Sequence, residues 1–320
     1  MKQILLTGVS GVIGSKLCLR LLPKYKIIAI GKQYSNIPSE IRHHQNFKFY
    51  ERDFENVHSV QDLQISESVD LVLHLAAAVS GSKITYQQFE QINAISTKVL
   101  VTWANSLAKK PIFGLMSSVS VYGNPSGKIV PSSDRLGESF YAKSKILAED
   151  AVISSQLRYS IFRIASVYGE GTKSFITKTK ALFQKGIRLH LWEEKEKSIL
   201  HIEDLLAALV FWCHKSLGGE TVRPIYVLSE PEPIRIVELY ELFQEWKGKR
   251  SFLIPVPLFP FLVRLWEKWH TWRRKQNPHL SREFPLAGLL KAVWIYDEES
   301  WKDLGIKQQR SLRKANIHSQ

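Results

Sequence analysis

A phenol, an ammonium and a hydroxyl in this chain have the types and spacing to move a hydride and a proton together. Tyr141 precedes Lys145 by four positions in Tyr141-Ala142-Lys143-Ser144-Lys145-Ile146-Leu147-Ala148-Glu149, and residues four apart on a helix share a face. Upstream stands Ser118, in Met116-Ser117-Ser118-Val119-Ser120-Val121-Tyr122-Gly123. A free tyrosine titrates near 10, so exchanging a proton with a carbinol or ketone near neutral pH needs a drop of roughly three units, about 4 kcal/mol of preference for the phenolate. Lys145 is the expected source of that preference, with Ser118 hydrogen-bonding the reacting oxygen. Tyrosine-lysine spacing alone arises often by chance. The elements that carry these side chains decide its meaning.

Apolar, β-branched runs at Gln3–Thr7, Lys26–Ile30, Phe47–Glu51, Asp70–Leu75, Ile112–Ser117, Tyr159–Ile164 and Ile225–Leu228 alternate with helical stretches. This pattern predicts an α/β fold, a doubly wound parallel (Rossmann) sheet covered on both faces, with a smaller C-terminal substrate domain. Ile13, Leu17 and Leu21 mark the apolar stripe of the first helix, which ends before Pro23. The expected division is discontinuous: residues 1–168 plus about 198–229 for the dinucleotide, and 169–197 plus 230–320 for the substrate.

The first strand runs into Thr7-Gly8-Val9-Ser10-Gly11-Val12-Ile13-Gly14 and then a helix. Glycines at a strand-to-helix turn let the backbone approach a pyrophosphate, which the first N–H groups of the helix then face. A P-loop is excluded, because the Gly-Lys pairs are followed by Gln33, Ile129 and Arg250 rather than Ser or Thr. The second strand ends Ala29-Ile30-Gly31-Lys32, without the carboxylate that usually holds the ribose 2′-hydroxyl. Lys32 suits a 2′-phosphate better, so the expected cofactor is NADP or NAD, with NADP preferred.

These residues carry a resemblance over essentially the whole chain. The sequence resembles the extended short-chain dehydrogenase/reductase group, the NAD(P)-dependent sugar epimerases and dehydratases. The matching marks are the glycine loop, Asp53, His74-Leu75-Ala76-Ala77, Asn93, the Ser-Ser…Val-Tyr-Gly strand end and Tyr-x-x-x-Lys. The resemblance implies that Ser118, Tyr141 and Lys145 are catalytic and that Asn93 stabilises the central sheet. It implies cofactor contacts at Gly8, Gly11, Val12, Ile13, Gly14, Lys32, Asp53, Phe54, Leu75, Ala76, Ala77, Tyr141 and Lys145. Substrate is expected at Ser118, Ser166 and Lys197. Val119 and Ser120 stand where dehydratases of the group carry Asp-Glu, which argues against dehydration; Ser166 and Lys197 replace the asparagine and arginine usual in UDP-sugar epimerases. The tail Leu286–Ser311 resembles members encoded with surface-polysaccharide pathways.

The implied function is a nicotinamide-dependent oxidoreductase or epimerase acting on a nucleotide-linked sugar or a related hydroxyl or keto compound. A ketoreductase of a non-sugar substrate and a catalytically silent nucleotide sensor are the alternatives. Family inheritance also points to a homodimer through Gln87–Ser106 and Tyr141–Ser154.

Composition bounds the rest. The 320 residues are 44% hydrophobic and 23% charged, ordinary for a globular protein. Cys18 and Cys213 are the only cysteines, too few for a disulfide framework, and no signal peptide is read at the start; the cytoplasm is expected. The histidines lack ligand spacing, so no metal is expected; His74 and His201 read as hydrogen-bonded structural residues. Of the formal charge of +14, a local +8 lies between Lys247 and Arg282, which holds nine basic residues against Glu267. The basic aromatic part, 264–282, reads as surface or as a lid over a phosphorylated substrate, ahead of peripheral contact with an anionic membrane. Nucleic acid is not an expected partner.

Overall fold

Short apolar runs separated by amphipathic stretches can bury both faces of a sheet only if helices cover each side. The chain does this. The structure is a computed structural model describing residues 1–79, 84–123, 129–191, 196–247, 254–258, 265, 268–269, 294–306 and 310–314. The basic aromatic stretch 264–282 therefore lies almost wholly outside the described residues.

The chain order opens with β1 (Gln3–Thr7), α1 (Val12–Leu21), β2 (Lys26–Gly31), α2 (Ser39–Arg42), β3 (Phe47–Glu51) and β4 (Leu71–His74). Then come α3 (Tyr86–Phe89), a π-helical turn at Glu90–Ile95, α4 (Ser96–Ser106), β5 (Ile112–Ser118), a 3-10 turn at Val119–Tyr122, α5 (Phe140–Ile153), β6 (Tyr159–Ile164) and β7 (Ser166–Tyr168). It continues with α6 (Phe175–Gln184), β8 (Ile187–Leu191), β9 (Ile199–His201), α7 (Ile202–Leu217), β10 (Ile225–Leu228), α8 (Ile236–Lys247), β11 (Ile254–Leu258) and, labelled α9 here, Glu298–Asp303.

Seven parallel strands form the main sheet in the order β10-β6-β5-β4-β1-β2-β3. The chain winds outward from β1 through β2 to β3, then returns to β4 and winds the other way. The reversal places a crevice at the carboxyl ends of β1 and β4. On one face α1 and α7 enclose Leu17, Leu21, Leu205, Leu209 and Trp212; on the other α4 and α5 enclose Leu100, Trp103, Ala148 and Val152. A smaller assembly built around α6 and α8 has its own core of Ile176, Phe183, Leu239, Tyr240 and Phe243. β11 pairs in parallel with β8 although it contains Pro255 and Pro257; prolines two apart lose their N–H on one edge only, which a strand with one neighbour among the described residues tolerates.

Among the described residues no helix is long and apolar enough to cross a membrane.

Candidate active site

The glycine loop closes tightly on itself, with the Gly11 N–H donating to the Gly8 carbonyl at 3.0 Å. Gly14 sits where a Cβ would lie 2.1 Å from the Gly8 oxygen, and Gly8 (φ +76) is pressed against the Ala76 backbone, 2.8 Å from where its own Cβ would be. Only bare backbone permits α1, β1 and the exit of β4 to meet this closely. Gly11 is the N-cap of α1 and offers no side chain to the first-turn N–H groups. These donors sit at the switch point and fit a pyrophosphate. Val12 is partly exposed at the mouth, and Ile13 leans on the core.

At the ends of β2 and β3, the Lys32 ammonium pairs with Asp53 at 2.7 Å, with Lys32 64% exposed and Asp53 26%. Asp53 also accepts the Glu55 N–H at 3.1 Å. The pairing offsets the Lys32 charge on which the NADP preference rested. Phe54 is buried in the core, edge-on to His74 at 5.6 Å. Its ring belongs to the packing beneath the crevice.

Thr7 closes the floor. Its oxygen accepts the N–H groups of Leu75 (3.1 Å) and Ala76 (3.0 Å), so its proton goes to His74 Nδ1 at 2.6 Å. Thr97 donates to the Asn93 carbonyl at 2.5 Å and therefore accepts from His74 Nε2 at 3.0 Å. The chain of donors assigns His74 as the neutral Nε2–H tautomer. Burial, followed by the Lys145 charge, pushes its pKa down to about 3. His74 is structural, as its apolar setting predicted. Asn93 lies in the π-helical turn, an irregularity that re-aims one side chain. It accepts the Ala78 N–H at 2.8 Å and donates to the Ala78 carbonyl (3.0 Å) and Ser144 Oγ (2.9 Å). The loop after β4, which carries Ala76 and Ala77, is thereby tied to α5.

Ser118 ends β5 and caps the following 3-10 turn, and Ser139 caps α5, which carries Tyr141 and Lys145. The Ser118 hydroxyl lies close enough to the Tyr141 phenol to favour its phenolate. The three predicted side chains thus gather beside the crevice, two on one helix and one on the adjacent strand end. Their electrostatics differ from expectation. Tyr141 is pushed up to about 12, because burial of the phenolate outweighs the opposing effect of Ser118. Lys145, 2% exposed, is itself lowered to about 8 by burial, partly opposed by Glu149. The anticipated lowering by Lys145 is corrected: its ammonium is desolvated and acts on Glu149 and His74. The protein's own groups leave the phenol protonated.

Ser166 opens β7, its N–H facing the Ser198 carbonyl at 3.4 Å, and Lys197, which precedes Ser198, bridges to Ile234. Lys197 is 7% exposed, and its ammonium lies 5.8 Å from the centre of the Phe175 ring. Beyond β7 the chain folds back over α1: a Cβ on Gly171 would meet Val12 at 3.2 Å, and Glu170 pairs with Lys16 at 2.8 Å. This segment borders the glycine loop.

The sequence profile of the NAD dependent epimerase/dehydratase family matches residues 4–227. The chain belongs to this family. Among relatives of the epimerase/dehydratase chain, the human protein named dTDP-D-glucose 4,6-dehydratase is 30% identical over 270 residues, covering 78% of this chain and 75% of its own. The Bos taurus protein of the same name is 31% identical, over 78% and 74%. Similar solved structures include a Bacillus cereus UDP-glucuronic acid 4-epimerase in complex with UDP-glucuronic acid and NAD (TM-score 0.72, 20% identity, 99% of this chain and 97% of that one). Bordetella bronchiseptica WbmG in complex with NAD and UDP aligns with TM-score 0.75 and 18% identity, over 99% and 92%. These likenesses show the fold.

Two further buried residues back the helix face that carries Tyr141 and Lys145. Glu149, four beyond Lys145, is wholly buried and accepts from Ser117 (2.5 Å) and from Arg163 of β6 (2.7 Å). Arg163 in turn reaches the Tyr122 hydroxyl at 2.9 Å. Its only sequence signal was a carboxylate continuing the Tyr141–Lys145 helix face.

Proposed function

We propose that this chain is a nicotinamide-dependent epimerase or reductase of a nucleotide-linked sugar, with Tyr141 as acid/base. The carrying observation is that α5 sets Tyr141 and Lys145 one turn apart on one face and packs against β5, which ends at Ser118 beside a glycine-lined crevice. The bound cofactor supplies the hydride acceptor and, when oxidised, a positive ring that favours the phenolate. Gly8, Gly11, Gly14, Val12 and Ile13 would hold its phosphates, and Asp53 and the Leu75–Ala77 backbone the rest, with Lys32 engaged by Asp53 at the rim. Ser118 donates to the reacting oxygen, and Lys145 keeps a positive charge at the enclosed site. Ser166 and Lys197 orient the substrate, within a portion formed by 169–197 and 230–320.

Nucleotide-linked sugars are what the names of the relatives and neighbours share. Dehydration is disfavoured here, since Val119 and Ser120 bring no carboxylate to the catalytic hydroxyl. For the cofactor we favour NAD over NADP, because the Asp53 carboxylate beside Lys32 repels a 2′-phosphate. A homodimer is supported by Ile95, Leu147 and Ile153, apolar and exposed near α4 and on α5. Sedimentation of Leu147→Glu as a monomer supports that face; an unchanged dimer removes it.

The test is turnover with a panel of UDP- and dTDP-linked sugars, following nicotinamide absorbance. Net change identifies a reductase, and product without net change an epimerase. Tyr141→Phe is expected to lower kcat by about 10²- to 10⁴-fold with cofactor affinity retained. Unchanged kcat in that variant overturns Tyr141 as the acid/base, and absence of turnover with every sugar of the panel favours a nucleotide sensor.

A further inference from the structure

We propose that Ser120 is a positioning residue that fills the acceptor positions of Ser118 and so turns the Ser118 proton toward the Tyr141 phenol. The proposal rests on the reading of Ser118 and Tyr141 as the proton-handling pair. Its basis is the occupancy of one oxygen. Ser118 Oγ accepts the Ser120 backbone N–H at 3.2 Å and faces the Ser120 hydroxyl at 3.0 Å. A serine oxygen has two acceptor positions and one proton. With the Ser120 hydroxyl as donor, both acceptor positions are filled, and the Ser118 proton is left for the phenol oxygen or the substrate oxygen.

The direction of a bond between Ser118 and the phenol decides its effect. A hydroxyl donating to the phenol oxygen stabilises the phenolate; a hydroxyl accepting from the phenol stabilises the protonated form. Without the Ser120 hydroxyl, Ser118 is free to rotate and accept. Ser120 is held firmly enough to impose the choice. It lies in the 3-10 turn between the buried Val119 and Val121. Its carbonyl accepts the Gly123 N–H at 3.1 Å, and the Val121 carbonyl accepts the Gly137 N–H at 2.8 Å.

The test uses NAD⁺-loaded protein and needs no substrate. Tyrosinate absorbance is titrated in the wild type and in Ser120 variants, each minus the matching Tyr141→Phe protein, so that the difference reports Tyr141. Ser120→Ala is expected to raise the Tyr141 midpoint by about half a pH unit to one unit, the size of one lost hydrogen bond. Ser120→Thr restores it. Ser120→Val, which matches threonine in shape without the hydroxyl, behaves like alanine and separates hydrogen bonding from packing. In a Ser118→Ala background the Ser120→Ala change shifts nothing further, a result that a purely structural role does not produce. An unmoved midpoint in both Ser120→Ala and Ser120→Val overturns the proposal, as does an equal shift with Ser118 absent. If Tyr141→Phe removes no tyrosinate signal below pH 10, the reading of Tyr141 itself fails, and the positioning role fails with it.

Discussion

The Glu149 carboxylate and the Arg163 guanidinium meet at 2.7 Å with side-chain exposures of 0% and 3%. This ion pair fastens α5 to β6, and Ser117 ties the same carboxylate to β5, one residue before Ser118. The face of α5 that carries Tyr141 and Lys145 is therefore held against the strand end that carries Ser118. Glu149→Ala leaves the buried Arg163 charge without its carboxylate, and Arg163→Ala leaves the buried Glu149 carboxylate only the longer pair with Arg135 at 3.3 Å. Glu149→Ala or Arg163→Ala should cost about 3–5 kcal/mol in urea unfolding, whereas the double replacement Glu149→Leu with Arg163→Met should recover much of that loss. A double variant no more stable than the singles contradicts this account.

Glu230 gives a pH dependence of known sign. Its carboxyl accepts from Tyr168 at 2.5 Å and from the Leu312 N–H at 3.3 Å, and burial raises its pKa from the usual 4.5 to about 7. Asp204 adds to the rise, while the Tyr168 and Leu312 bonds and Arg313 oppose it. A raised carboxyl pKa means that the folded state binds the proton more tightly. The associated stabilisation is fully present below about 4.5 and is lost as pH rises through 7. The stability difference between wild type and Glu230→Gln should therefore change across that window by roughly 2–3 kcal/mol, in favour of the variant at the alkaline end. Thermal melts at matched pH values check it; a constant difference argues against a raised pKa.

Gly14 and Gly219 separate close approach from backbone conformation. A Cβ at Gly14 would collide with the Gly8 oxygen at 2.1 Å, whereas at Gly219 (φ +86) it would meet nothing within 4 Å. Gly14→Ala should destabilise on the order of 3 kcal/mol and weaken nicotinamide nucleotide binding at least tenfold. Gly219→Ala should cost about 1–2 kcal/mol and leave binding intact. Denaturation and NADH fluorescence titration together distinguish them.

Cofactor choice can be read from the pair at 2.7 Å between Lys32 and Asp53. Asp53→Asn releases the lysine and removes a negative charge, so the ratio of NADP to NAD affinity should rise about tenfold. Lys32→Ala should change NAD binding little. A ratio unmoved by Asp53→Asn places the 2′ end of the ribose elsewhere.

Much of this architecture was legible locally. The strands β1, β3, β6 and β10 have the boundaries expected from their apolar runs, because a strand buried on both faces must be continuously apolar. The glycine spacing announced its turn for an equally local reason. Less visible were the Thr7–His74–Thr97 chain and the π-helical turn that aims Asn93. Thr7 and His74 are 67 residues apart, and nothing short-range in either indicates the other.

Residue order by itself thus determined the alternation of elements, the anion-binding turn and the placing of Tyr141 and Lys145 on one helix face, since each depends on spacing within a few turns of chain. Tertiary structure alone decided the charge state of those groups. Enclosure by neighbours distant in sequence raised the phenol and lowered the ammonium. A pKa responds to water removed and charges approached, and both are set by packing.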